Sequence, residues 1–80
     1  MSAAAPTAGE LFVQAVRGQL SQVTMDLRNE EITEMGGQAC ASLAAGHERK
    51  EVAAELGEYG LPDADARELV SLARSTLCRS

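Results

Sequence analysis

Two cysteines, Cys40 and Cys78, constrain this chain more than any other residues. Cys40 lies in Gly36-Gly37-Gln38-Ala39-Cys40-Ala41-Ser42-Leu43-Ala44-Ala45-Gly46, a helically spaced stretch with small residues on its flanks and a glycine at its end. Cys78 stands near the far end of the chain. An even cysteine count in a small domain fits one disulfide in an oxidising compartment, whereas a cytosolic protein would keep two buried reduced thiols. Eighty residues make one domain, short enough that a single core is marginal and a further constraint is expected. Closing the long segment between the cysteines is worth about 4 kcal/mol in the chain-entropy model, comparable with the whole stability of such a domain. A bond needs the two Cα atoms within about 7 Å, so it would set the two helices carrying the cysteines against each other.

The remaining residues are patterned as helices. Residues 1–8 are small, uncharged and proline-containing and read as a flexible tail, leaving residues 9–80 as a single helical domain. Leu11, Phe12, Ala15, Val16, Leu20 and Val23 recur at spacings of three and four, predicting a first helix from about Ala8 to Arg17, with extension to Leu20. Thr7 is its expected N-cap, and Glu10 completes a capping box. Residues 21–29 form a connection, with Asn29 or Asp26 to cap the second helix and Glu30, Glu31 and Glu34 complementing the positive end of its dipole. Ile32, Met35, Gly36, Ala39, Cys40, Leu43 and Ala44 share the apolar face of that helix. Gly36 and Gly37 each cost about 1 kcal/mol of helix propensity. Gly36 is therefore expected to admit a closely packed neighbour, with a kink as the alternative. Gly46 is read both as a left-handed C-cap and as a second close-packing glycine. A short third helix buries Val52, Ala53 and Leu56 and stops at Gly57, Gly60 and Leu61-Pro62. Asp63 is the expected N-cap of a fourth helix from Asp63 to Leu77, with Ala66, Leu69, Val70, Ala73 and Leu77 on its inner face. The fold expected is all-α, a small bundle of about four helices stapled by one disulfide.

Chemistry is harder to find. With one Phe, one Tyr, no Trp and a net charge of -5, stacking on nucleic acid bases and a phosphate-binding surface are both disfavoured, so no nucleic-acid partner is expected. No apolar run reaches the length of a membrane span, and residues 1–10 lack the basic and apolar regions of a signal peptide. The chain is expected to be soluble as it stands, and its first residues resemble the start of a mature secreted protein. His47, the one histidine, is read as a solvent-facing residue just past a helix cap, because a metal site needs further converging ligands. The cysteines lack CxxC spacing, and Cys40 lies on an apolar face where thiols are inert. Glu30, Glu31, Glu34, Glu48, Glu51, Glu55 and Glu58 read as solvated helix faces. Ser42, Ser71 and Ser75 have no accompanying base and no nucleophile-elbow motif. Gly36-Gly37 is followed by no Lys-Ser or Lys-Thr and is no phosphate loop, and the Asp-Ser-Leu motif of a prosthetic-arm carrier is missing. No catalytic, metal or cofactor residue is assigned. Val13, Val23, Met25, Leu27 and Tyr59 do not all fit the core faces; clustered they would form a binding patch, scattered they carry no meaning.

Phe12 to Val16, Gly37-Gln38-Ala39-Cys40-Ala41-Ser42-Leu43 with Gly46, Val52, and Ala66-Arg67-Glu68-Leu69-Val70 through Ala73 to Cys78 resemble the domain of unknown function 732 family of actinobacteria, chiefly mycobacteria. Its members show a helix with Gly-x-x-Cys-x-x-Leu followed by a glycine, and an Ala-x-x-[Phe/Leu]-Val-x-x-Ala segment ending in a second cysteine. The similarity covers about Leu11 to Cys78. Arg79 stands where the family often has proline after the cysteine, and Gln22 to Leu27 replace a Gly-Ile turn. The resemblance implies a secreted or cell-envelope helical protein, made with a signal peptide in its precursor and bridged between Cys40 and Cys78. It implies no activity.

Three functional readings follow. The first is an exported, non-catalytic domain that binds a protein or envelope component. The second is a lipid or small-ligand carrier, or small enzyme, with an apolar cavity lined by Met35, Gly36, Leu56 and Leu69. The third is an intracellular regulatory partner with reduced cysteines.

Overall fold

The computed structural model describes residues 7–78, so most of the expected N-terminal tail lies outside the described residues. Four helices follow one another: α1 (Ala8–Gln19), α2 (Asn29–Ala44), α3 (Arg49–Gly57) and α4 (Asp63–Thr76). No strand occurs among the described residues. Both α2 and α4 touch every other helix, whereas α1 and α3 flank this central pair without touching each other. The disulfide joins the two central helices: Cys40 and Cys78 are bonded, with Cα atoms 5.2 Å apart.

The termini follow their local chemistry, with two corrections. Thr7 caps α1 as expected: its hydroxyl accepts from the Glu10 amide at 3.1 Å while the Glu10 carboxylate accepts from the Thr7 amide at 3.0 Å. The N-cap of α2 is Arg28, neither Asn29 nor Asp26. Glu31 accepts from the Arg28 amide at 2.8 Å, and the Asn29 side chain is drawn away by Arg17. The N-cap of α4 is Pro62; Asp63 is the first helical residue, and its carboxylate lies 3.0 Å from Arg67 Nε one turn on. Past α2 the Gly46 amide bonds the Leu43 carbonyl and the His47 amide the Ser42 carbonyl, at 3.0 and 3.1 Å. This is a Schellman ending, which requires the positive φ of 97° found at Gly46.

The core is aliphatic apart from Phe12. Phe12 and Val16 of α1, Ile32, Met35 and Ala39 of α2, Val52 and Leu56 of α3, and Ala66, Leu69, Val70 and Ala73 of α4 are all withdrawn from solvent. Leu11, expected on the apolar face, points outward at 44% exposure, because α1 turns Phe12, Val13 and Val16 inward. Val13 is buried, and Val23 and Leu27 are partly buried against the core. Of the five apolar residues that did not all fit the core faces, Met25 and Tyr59 remain exposed.

Candidate functional site

Gly36 is where α1 and the C-terminal end of the chain converge on α2. A β-carbon there would meet Phe12 Cε2 at 2.4 Å, Leu77 Cδ2 at 2.7 Å and Phe12 Cζ at 2.8 Å, all inside the closest approach a real side chain tolerates. One turn further along α2, Cys40 bonds Cys78, so the glycine and the disulfide hold the same end of the chain against the same helix. Gly46 does no such packing: a β-carbon there would meet nothing within 4 Å, and its role is the left-handed turn. Gly37 likewise faces open space.

The cavity expected beside Gly36 is filled. Met35, Leu56 and Leu69 are buried core residues at 1% exposure or less, and Phe12 and Leu77 occupy the space over Gly36 itself. Four surface clefts of the molecule are lined by other residues. Met35, Gly36, Leu56 and Leu69 are packing residues, because a bundle with few aromatics fills its centre with interlocking aliphatic side chains.

A polar cluster centres on Glu55 of α3, which the sequence grouped with solvated carboxylates. Ser42 Oγ donates to its Oε1 at 2.7 Å, and Gln38 Nε2 does so at 3.5 Å. His47 Nδ1 lies 3.2 Å from Oε2, with the imidazole about half exposed. The Ser42 hydroxyl is the largest influence holding the Glu55 carboxyl below its ordinary value of 4.5; partial desolvation opposes it, while Gln38 and His47 reinforce it. The cluster ties α2, the Gly46 turn and α3 together. Chemically it is a carboxylate placed between a hydroxyl and an imidazole, not an imidazole placed on a hydroxyl. A cleft of about 490 Å³ opens beside it, lined by Gln38, Glu55, Glu58 and Tyr59.

A second polar device lies at the opposite end of α2. The Arg17 guanidinium donates to the Thr24 carbonyl at 3.0 Å and the Leu27 carbonyl at 2.7 Å. It also makes a forked pair to Asn29 Oδ1, at 2.9 Å from Nε and 2.7 Å from a terminal nitrogen. Thr24, fully buried, donates its hydroxyl to the Leu20 carbonyl at 2.8 Å. The connection from α1 to α2 is thus pinned from inside while Met25, at 78% exposure, stands out from it. Spacing rules on a single helix could not have revealed this brace, since Arg17 reaches backbone carbonyls seven and ten residues away.

A second cleft, of about 390 Å³, separates the first turn of α3 from the middle of α4 and is lined by Arg49, Lys50, Arg67 and Ser71. No group of three or more His, Cys, Asp or Glu residues converges as a metal site among the described residues, and no described helix is long and apolar enough to cross a membrane.

No curated protein and no solved structure matches the chain. A family model does, over residues 5–80, and so spans both cysteines and all four helices. On that match the chain belongs to the family described as Protein of unknown function (DUF732).

Proposed function

We propose that this domain works outside the cytoplasm, exported or held at the cell envelope, where it binds a protein or an envelope component and catalyses no reaction. The observation that carries this reading is the Cys40–Cys78 bond across the two central helices. Disulfides of this structural kind persist in oxidising compartments and are rare where thiols are kept reduced. Both cysteines are packed against the core, as suits a staple better than an exchanging redox pair.

The Glu55 cluster supports binding over catalysis. Ser42 gives its hydrogen to a carboxylate held below its ordinary pKa, which is a poor general base. His47 engages the same carboxylate, so it does not activate the hydroxyl. Met25 supports a contact role. Methionine is enriched at interfaces, and a side chain presented by a braced connection needs little further ordering when it binds.

Two measurements test the reading. Alkylating free thiols in intact cells before fractionation should leave the chain unmodified and place it in the envelope or medium; a cytoplasmic chain alkylated at both cysteines overturns the compartment. A photo-crosslinker at position 25 should give one discrete adduct with envelope material, competed away by excess unlabelled domain. Failure to form that adduct removes Met25 as the contact.

A further inference from the structure

The chain is acidic overall, with twelve Asp and Glu against seven Lys and Arg, yet its cations are not spread evenly. Three of the seven, Arg49, Lys50 and Arg67, line one cleft of about 390 Å³ together with the Ser71 hydroxyl. Arg67, Ser71 and Arg74 follow at positions i, i+4 and i+7 of α4, spacing that places them along one side of the helix. Among the described residues neither Arg49 nor Lys50 has a carboxylate within ion-pair distance. Arg67 does, but its partner Asp63 is 68% exposed and the pair is open to water, a kind of pair that yields readily to a better ligand. The carboxylates flanking the first turn of α3 are partly engaged elsewhere, Glu51 accepting from the Glu48 amide at 2.9 Å.

We propose that the cleft between the first turn of α3 and the middle of α4 binds a phosphate ester. Two guanidinium groups offer planar, paired donors suited to phosphate oxygens, the ammonium adds a point charge, and the hydroxyl adds a neutral donor. Three cations match a ligand group carrying more than one negative charge, as a phosphate monoester does, better than a single carboxylate. A net charge of -5 disfavours the extended contact that a nucleic acid needs; it does not prevent a local cationic cleft from focusing one anionic group. The cleft volume leaves room for the group and part of what it is attached to. Soluble metabolites and lipid headgroups both carry such a phosphate, and the same donors serve either. The inference rests on the reading of the domain as a binder, and its test is made on purified protein, so its outcome is independent of where the chain resides.

Purified oxidised domain is titrated with glycerol 3-phosphate at constant ionic strength and followed by backbone amide shifts. Saturable shifts at Arg49, Lys50, Arg67 and Ser71 are expected. The double variant K50Q/R67Q should weaken binding by about tenfold or more, the loss of charge-assisted hydrogen bonds, while R28Q, an equal charge change per site at an exposed cation outside the cleft, should alter it by less than about twofold. In a second arm, flotation with vesicles of equimolar phosphatidylcholine and phosphatidic acid is compared with phosphatidylcholine alone. Retention on the anionic vesicles that is abolished by K50Q/R67Q assigns a headgroup source; saturation by glycerol 3-phosphate without retention assigns a soluble one. Shifts that do not saturate, or equal weakening by R28Q and by each of K50Q and R67Q, overturn the proposal. Because all four cleft residues are exposed, unchanged circular dichroism is expected for the variants.

Discussion

Replacing Gly36 with alanine isolates the close approach that organises the bundle. The new β-carbon would lie 2.4 and 2.8 Å from two atoms of the Phe12 ring and 2.7 Å from Leu77 Cδ2. Leu77 is partly buried and can turn its methyl aside, but Phe12 is fully enclosed and has nowhere to retreat without moving α1. Overpacking of this kind costs about 1–3 kcal/mol, while exchanging glycine for alanine in a helix returns about 1 kcal/mol. Gly37 provides the control, since it is exposed in the same helix and a β-carbon there meets nothing within 4 Å. G37A should therefore gain about 1 kcal/mol from propensity alone. Propensity cancels in the difference between G36A and G37A, leaving the overpacking, about 1–3 kcal/mol. Each kcal/mol corresponds to roughly 4–8 °C in Tm for a domain of this size. Urea unfolding of both variants with the disulfide intact measures the difference directly. Equal stability of G36A and G37A would refute the reasoning, and F12L added to G36A should recover part of the loss if the ring is the obstacle.

Three further outcomes are expected. Reducing the disulfide, or replacing both cysteines with alanine, should cost about 4 kcal/mol for a closed loop of 38 residues; a urea midpoint unchanged by reductant would contradict it. Arg17→Ala should destabilise by about 2 kcal/mol, because the Thr24 and Leu27 carbonyls lose a charged donor. Amide exchange should accelerate across residues 20–28, and R17K, which lacks the fork, should restore only part of the protection. The Glu55 carboxyl is held below 4.5 in the folded state, so its contribution is present above that pH and is lost as pH falls through the folded-state value. Thermal melts across the acid range should show a fall in Tm that E55Q removes, while a wild-type profile identical to that of E55Q would dissociate the acid limb from this residue.

The sequence by itself determined the number of helices, the inner faces of α3 and α4, that of α2 except for Ala44, which is exposed, and the staple. Periodic apolar residues mark a helix whatever surrounds it, as the core faces of α2, α3 and α4 demonstrate. Thr7 with Glu10 and the Gly46 ending are equally legible, since each is settled within a few residues by backbone hydrogen bonding. With two cysteines in the chain, an intramolecular disulfide has a single pairing. Tertiary structure decided what depends on reach between segments. Asn29 gave up its expected capping role, and Arg28 became the N-cap of α2, because the Arg17 guanidinium reaches across from α1 to its side-chain oxygen. Leu11 was turned outward by the orientation of α1 against α2 and α4, which its own period does not fix to within one residue. Glu55 looked like one of many solvated carboxylates until α2 and the Gly46 turn placed Ser42, Gln38 and His47 around it. The cations of α3 and α4, separated in sequence, meet in one cleft because these helices pack side by side. Local hydrogen bonding and periodicity act over a few residues and are written in the chain; the meeting of side chains from different helices is set by how the helices pack.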